Sequence, residues 1–162
     1  NPCPCGYLTD PRRACRCSPS HIQRYRTKLS GPLLDRIDLH VEVPAVPPKL
    51  LGQVPDGESS ATIQARVAGA RRRQRRRLAP LGCFANSQMH HRQIQQACLL
   101  SPEAKSLLQT VLEELQVSAR AYDKILKISR TIADLAGEEA LRTEHLAEAI
   151  QYRSLDRRHW CR

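Results

Sequence analysis

Four cysteines lie close together near the start of the sequence, in "CPCGYLTDPRRACRC". They form two Cys-x-Cys pairs, Cys3 with Cys5 and Cys15 with Cys17. Four thiolates can bind Zn²⁺ in tetrahedral geometry, and metal binding would supply the ordering free energy that a segment without apolar periodicity lacks. The Cys-x-Cys spacing is tighter than the common Cys-x₂-Cys. We expect a structural zinc site here, with free or disulfide-forming thiols as the alternative.

The remaining cysteines and the histidines do not suggest a second site. Cys83, Cys98 and Cys161 are widely spaced, and we interpret them as ordinary small apolar or surface residues. His90 and His91 have no partner at a metal-ligand spacing. The sequence also contains no phosphate-binding glycine loop, no paired catalytic carboxylates and no nucleophile elbow.

A run of arginines is the second candidate for function. "ARRRQRRRL" contains six arginines, and the net charge of the chain is +10. Arginines around most of a helix suit contact with phosphate backbones without base readout, whereas a solvated surface helix is the alternative. Aromatic residues make up only 4% of the chain, which argues against a base-stacking platform. The predicted DNA-binding residues are Arg66, Arg71, Arg72, Arg73, Arg75, Arg76 and Arg77.

Two single arginines occupy unusual positions. Arg36 lies between Asp35 and Asp38, just before an alternating apolar stretch, and the simplest interpretation is an arginine paired with these acids. Arg120 follows the N-cap candidate Ser118, where a cation opposes the helix dipole. A phosphate near that helix end would explain it, and a solvated arginine at a fraying end is the alternative.

The apolar pattern predicts a mostly helical chain with one strand. Ile37 to Val43 alternates apolar and polar residues like a half-buried strand, and a Pro/Gly linker, "PAVPPKLLGQVPDG", follows it. N-cap candidates, Pro at a first helical position and a terminal glycine then mark the helix ends. The predicted helices are a short one around Ile22–Leu29, one from Ser59/Ser60 to Leu78, His90–Leu99, one that begins at Pro102, one from Ser118 to Gly137, and Thr143–Tyr152. The helix from Pro102 has an apolar face formed by Leu107, Leu108, Val111, Leu112 and Leu115. The helix from Ser118 has one formed by Ile125, Ile128, Ile132 and Leu135.

The chain has no apolar run of membrane length and no secretory or transit signal, so we expect a cytoplasmic protein with no membrane partner. Clustered cysteines in a reducing compartment bind metal more often than they form disulfides. The first residue is Asn1 rather than Met, and a lone strand is not a stable sheet. We therefore expect the chain to be a piece of a longer protein.

Four segments together resemble a known family. "NPCPCGY", "YRTKLSGPLLDRIDLHVEVP", "GESSATIQARVAGARRRQ" and "QVSARAYDKILKISRTIADLAG" are similar to the C-terminal half of ComM/YifB proteins, which are magnesium-chelatase-like AAA+ ATPases. The resemblance spans essentially the whole chain. It implies the C-terminal end of an AAA+ α/β core, with one strand and the Cys-rich loop, followed by a helical lid bundle. The implied segments are 1–58 for the core, 59–100 for the basic helix and connection, and 101–162 for the lid.

The resemblance also implies roles for single residues. Asn1 resembles the sensor-1 asparagine that positions the attacking water near the γ-phosphate. Arg36 resembles the arginine finger offered to ATP on a neighbouring subunit, and Arg120 resembles the sensor-2 arginine of the lid. This sequence contains no Walker motifs, which in the family lie upstream of the position of Asn1. We therefore expect that this chain alone does not hydrolyse ATP.

The implied whole protein is a homo-hexameric DNA motor that uses ATP and Mg²⁺, with ComM associated with branch migration during natural transformation. Not all members keep the four cysteines, which suggests a structural rather than a catalytic zinc. Two other functions remain open at this point. One is a stand-alone zinc-containing DNA-binding module without motor activity, and the other is a regulatory subunit of a separate ATPase.

Overall fold

The fold was obtained as a computed structural model, which describes residues 1–41, 43, 46–47, 49, 52, 57–115 and 118–153, with the backbone alone at 114 and 115. Most of the predicted Pro/Gly linker therefore lies outside the described residues, as does Cys161. The described residues form two compact units. The first comprises those within 1–55 together with Tyr152 and Arg153, and the second comprises those within Asp56–Gln151.

The first unit begins with turns over residues 1–17 and continues into two short helices. Helix α1 spans Pro19–Arg26, and the Ser18 hydroxyl caps it by accepting from the His21 amide at 3.3 Å. Helix α2 spans only Gly31–Leu34. The short helix predicted over Ile22–Leu29 is thereby confirmed, although it begins and ends three residues earlier. Among the described residues of this unit, only Cys3 and Leu34 are buried apolar residues.

The strand predicted over Ile37–Val43 is not confirmed, since the described residues of this stretch form no strand. The side chains that were expected on its buried face are exposed, namely Ile37, Leu39, Val41 and Val43. A strand needs a neighbour to satisfy its backbone groups. Here the His40 amide instead donates to the Tyr152 carbonyl at 2.8 Å.

The second unit is helical, and its helices agree closely with those predicted. Helix α3 spans Ser60–Leu78, with the Ser59 hydroxyl accepting from the Thr62 amide at 3.2 Å. It passes into a 3₁₀ helix at Ala79–Leu81. The elements that follow are a 3₁₀ helix at Asn86–Gln88, α4 at His91–Ala97, α5 at Pro102–Leu115, α6 at Ala119–Ala136 and α7 at Thr143–Gln151.

Helix α6 is the centre of this unit and packs against α3, α4 and α7. Ser118 caps its start by accepting from the Ala121 amide at 3.2 Å. Its end requires a residue that tolerates positive φ, and Gly137 adopts φ +87° there. A side chain at Gly137 would also crowd the Arg73 guanidinium, because a Cβ would lie 3.2 Å from Arg73 Nη2.

The apolar faces predicted for α5 and α6 contribute to the core, with one exception among their described side chains. Ile125 is buried and Ile132 packs against the core, but Leu135 is 38% exposed. Leu135 lies two residues beyond the fully buried Ala133, which places it about 200° further round the helix. The side chain of Leu115, predicted for the α5 face, lies outside the described residues. Among the helices that the structure describes, none is both long and apolar enough to cross a membrane.

Candidate functional site

The four clustered cysteines bring their thiols together. The sulfur of Cys3 lies 3.4 Å from that of Cys5 and 3.7 Å from that of Cys15, and the Cys5 and Cys15 sulfurs are 3.6 Å apart. With Cys17, all four sulfurs lie within 4.8 Å of one another. A tetrahedral Zn²⁺ with Zn–S bonds of about 2.3 Å has sulfurs about 3.8 Å apart. The four residues, termed the Cys₄ cluster, therefore fit a zinc ion and could hold one.

A glycine turn aligns the first pair of thiols. The Gly6 amide donates to the Cys3 carbonyl at 3.1 Å. Gly6 adopts φ +81°, a backbone conformation that residues with a side chain rarely adopt. The turn runs from Cys3 to Gly6 and therefore contains both Cys3 and Cys5, whose sulfurs lie 3.4 Å apart. The Gly in "CPCGY" is thus part of the site, a role that the sequence pattern alone did not assign.

The thiols of the Cys₄ cluster differ in acidity. The backbone amide of Tyr7 lowers the pKa of Cys5 to about 6. The Cys17 amide lowers the pKa of Cys15, but burial and the neighbouring thiols of Cys5 and Cys3 raise it more, to about 12. Because metal ligation requires thiolates, binding of Zn²⁺ here would release protons and depend on pH.

Three exposed arginines lie in the same loop as this cluster, namely Arg12, Arg13 and Arg16. Arg13 donates to the Tyr7 hydroxyl at 2.8 Å, and its guanidinium carbon lies 5.2 Å from the centre of the Tyr7 ring. The Arg12 amide donates to the Asp10 carboxylate at 2.7 Å. Positive charge in this loop would offset the negative charge that four thiolates bring.

The basic helix α3 has two different sides. Arg72, Arg75 and Arg76 are exposed, and their guanidinium groups have no hydrogen bond or ion pair to any residue that the structure describes. Arg71 is also exposed, and among the described residues its guanidinium hydrogen-bonds only to the Gln74 side chain, at 3.3 Å. We term these four residues the outer arginines. Arg66 differs from them, because it forms a bidentate pair with Glu58 at 2.8 and 2.9 Å.

The inner side of α3 contacts a fully buried carboxylate on α6. Arg77 donates to both Asp134 oxygens at 2.7 Å, and the Asn86 amide donates to one of them at 2.9 Å. Arg130, which is 2% exposed, lies 3.3 Å from the same carboxylate. Arg73 donates to the Asp134 carbonyl at 3.3 Å. Arg73 and Arg77, both predicted to contact DNA, are thus engaged with α6, and the sequence pattern missed Asp134 as their partner.

Arg36 is exposed, and it does not pair with the acidic residues next to it in the sequence. Its guanidinium has no partner among the described residues. The carboxylate of Asp35 instead lies 3.7 Å from Nη2 of Arg153. The simplest interpretation, an arginine paired with its acidic neighbours, therefore does not describe Arg36.

Arg120 lies in the first turn of α6 on the wall of an open cavity of about 660 Å³. The cavity is also lined by the Ser118 hydroxyl and by Tyr122 and Leu112. Arg120 is exposed, and its guanidinium has no partner among the residues that the structure describes. A cation and a helix N-terminus on one cavity wall form a surface suited to an anion.

A histidine that sequence reasoning set aside lies on the same wall. His91 Nδ1 is 2.8 Å from Asp123 Oδ1, and the Gln95 amide nitrogen is 3.0 Å from His91 Nε2. In this orientation of the amide, the Gln95 nitrogen donates to Nε2, which leaves Nδ1 to donate to Asp123. Asp123, three residues after Arg120, is therefore paired with His91. The spacing of His91 and Asp123, on different helices, gave no sequence signal.

A second group of potential ligands, Glu138, Glu144 and His145, has a simpler explanation. Arg142 lies among them, with Nε 2.8 Å from Glu138 and Nη1 3.6 Å from Glu144. The Arg142 amide donates to His145 Nδ1 at 3.1 Å and so caps the start of α7. The arginine already neutralises the two acids, and we assign these residues to helix capping.

Two family models match consecutive parts of the chain. Magnesium chelatase, subunit ChlI, matches residues 1–51, and magnesium chelatase, subunit ChlI C-terminal, matches residues 57–153. The second match alone covers more than half of the 162 residues. The chain belongs to the magnesium chelatase ChlI family.

Within this family, the predicted resemblance to ComM and YifB proteins is confirmed. The chain is 42% identical over 158 residues to competence protein ComM of Haemophilus influenzae and 41% identical over 158 residues to YifB of Salmonella typhimurium, which covers 97% of the chain in both cases. An uncharacterised protein of Mycobacterium tuberculosis is 35% identical over 153 residues, or 94% of the chain. The chain spans about 30% of the length of each relative.

Asn1, the last of the predicted site residues, is exposed in the first unit. Its side chain lies beside the Gly6 turn, where a Cβ on Gly6 would come 3.8 Å from it. The following residue, Pro2, accepts from Arg26 Nε at 3.2 Å. Asn1 therefore adjoins the Cys₄ cluster, which would brace the ChlI-family segment that begins there.

Proposed function

We propose that this chain is the C-terminal part of a hexameric AAA+ ATPase that acts on DNA as a branch-migration helicase of the ComM type, in natural transformation or recombination. The chain supplies Asn1, Arg36 and Arg120 to the ATPase sites and a basic surface to DNA. An upstream segment supplies the Walker motifs that bind ATP and Mg²⁺, in the cytoplasm. The identity to competence protein ComM along 97% of the chain supports this proposal.

One observation carries the ATPase part of the proposal, namely that Arg36 and Arg120, the arginines that the family resemblance assigns to the ATPase sites, are both unpaired among the described residues. The buried arginines among the described residues are paired, as Arg130 is with the Asp134 carboxylate and the Glu139 carbonyl. Arg36 and Arg120 are exposed without such partners among the described residues. An unpaired guanidinium can stabilise the charge that develops on a transferred phosphoryl group, and this is the role proposed for Arg36 across a subunit interface.

Arg120 would act on the nucleotide from its own position at the start of α6. Its guanidinium and the free amides of that helix end can both face a phosphate, whose charge the helix dipole favours. Asp123 is paired with His91 at 2.8 Å, which keeps the nearest carboxylate of α6 occupied. Asn1 would orient the attacking water.

The remaining two sites would serve DNA binding and rigidity. The outer arginines of α3 supply sequence-independent phosphate contacts. The Cys₄ cluster would bind one structural Zn²⁺, which orders the loop between Asn1 and α1 and presents Arg12, Arg13 and Arg16 as basic residues of the first unit. No catalytic step is assigned to this zinc.

The proposal is tested with the full-length protein in an ATPase assay with and without DNA, alongside a branch-migration assay on a four-way junction. We expect ATP turnover that DNA stimulates and ATP-dependent junction movement. If the protein binds DNA but turns over no ATP under any of these conditions, the stand-alone zinc-containing DNA-binding module is the better description. If it turns over ATP only when mixed with a second ATPase subunit, the regulatory role is favoured.

A further inference from the structure

Arg153 is a buried cation that no motif in the sequence marks. It is 4% exposed and follows the end of α7, in the same compact unit as Arg36. Burial of a guanidinium is costly unless its hydrogen bonds are satisfied. Its partners therefore indicate why the chain keeps an arginine there.

The contacts of Arg153 fall on both neighbours of Arg36. Nη1 donates to the Ile37 carbonyl at 2.9 Å, and Nη2 lies 3.7 Å from the Asp35 carboxylate. The preceding residue, Tyr152, accepts from the His40 amide at 2.8 Å. Two consecutive residues thus attach to the segment from Asp35 to His40 at three points, although they are more than a hundred positions away in sequence.

These contacts have two consequences for Arg36. The Asp35 carboxylate, adjacent to Arg36 in sequence, faces Arg153, and the backbone directly after Arg36 is fixed at the Ile37 carbonyl. Arg36 itself remains exposed and without a partner among the described residues. An arginine that must reach a phosphate on another subunit needs both a fixed backbone and an unpaired guanidinium.

We infer that Arg153 is the positioning residue for Arg36, which it keeps directed outward and free of Asp35. The inference rests on the proposed function, in which Arg36 is an arginine finger. In this proposal Arg153 contacts neither nucleotide nor DNA. It acts through the segment from Asp35 to His40, so its loss should lower catalysis rather than binding of ATP.

The test uses Arg153→Met in the full-length protein, with steady-state ATPase kinetics. Misplacement of a catalytic group by about 1 Å costs on the order of 100-fold, so we expect kcat to fall about 100-fold while the KM for ATP changes less than about threefold. Arg24→Met is the control, because it removes an exposed guanidinium from α1 in the same unit, at a residue to which no site role is assigned. We expect this control to keep kcat within about twofold.

Subunit mixing separates positioning from a general structural role. A subunit with Arg153→Met retains its own nucleotide site, so mixing it with subunits defective in ATP binding should restore activity, because intact fingers then meet intact sites. Mixing it with Arg36→Ala subunits should restore none. If both mixtures, or neither, regain activity, the inference is wrong.

The two proposals fail in different ways. If Arg36→Ala is inactive and Arg153→Met has wild-type kcat, the inference about Arg153 is overturned and the proposed function stands. If Arg36→Ala keeps wild-type turnover, the proposed function loses its arginine finger. Should Arg153→Met not fold, Arg153→Lys decides, because lysine keeps the charge but cannot bridge Asp35 and the Ile37 carbonyl as a planar fork does. We expect an intermediate kcat, and wild-type kcat would overturn the inference.

Discussion

Replacement of the four outer arginines of α3 with glutamine tests the DNA-binding surface and allows a numerical prediction. The variant is Arg71→Gln, Arg72→Gln, Arg75→Gln and Arg76→Gln. Three of these guanidinium groups have no partner among the described residues and the fourth contacts only Gln74, so their removal breaks no ion pair there. The helix should therefore stay folded, since arginine and glutamine have similar helix propensities.

The expected effect follows from counterion release. Each phosphate that a cation neutralises contributes about −0.9 to the slope of log K against log salt on duplex DNA. If all four side chains contact phosphates, the slope changes by about 3.6. Over a fourfold rise in salt, from about 50 to 200 mM, the wild-type chain would then lose about 150-fold more affinity than the variant.

The assay is fluorescence anisotropy of labelled duplex DNA at several salt concentrations. Arg92→Gln with Lys105→Gln is the control, because it removes two exposed charges from α4 and α5 in the same unit. We expect the control to change the slope by less than one. A quadruple variant with the wild-type slope, or a control that lowers it as much per charge, would refute the assignment of the DNA surface to α3.

Three further results are expected. Asp134→Asn leaves the buried Arg130 without its carboxylate and should destabilise the second unit by about 3–5 kcal/mol in urea unfolding followed by circular dichroism; a loss below about 1 kcal/mol would contradict the structure. Purified chain should contain one Zn²⁺, lost on Cys15→Ser or at acidic pH as the thiols protonate, and elemental analysis measures it. Burial raises the pKa of Cys98 to about 11. At pH 8 it should resist alkylation in mass spectrometry, and its contribution to stability should fade only as pH rises above about 9 toward 11.

Features fixed by neighbouring residues were predictable from the sequence. Ser59 and Ser118 mark the starts of α3 and α6, and Gly137 marks an end, because caps and positive φ depend on local chemistry. The Cys₄ cluster was predictable for the same reason, since two Cys-x-Cys pairs can present four thiols to one ion. Predictions of this kind need no knowledge of the tertiary fold.

Features that depend on distant contacts were not predictable. The stretch from Ile37 to Val43 has the pattern of a strand, but a strand forms only where a neighbour accepts its hydrogen bonds. An aspartate such as Asp134 is normally expected at an exposed helix position, yet Arg77 pairs with it across 57 positions of sequence. Arg153 contacts Ile37 across 116 positions. Charge pairs at such separations leave no periodic signal in a single sequence.

The central claim, that this chain completes the active sites of an ATPase, is tested most directly by Arg36→Ala in the full-length protein. The measurement is the ATP turnover rate with saturating ATP, Mg²⁺ and DNA. Arginine fingers contribute about 10³–10⁵ to turnover, so we predict a loss of at least about 1,000-fold with little change in DNA binding. Turnover within about tenfold of the wild-type rate would contradict the claim.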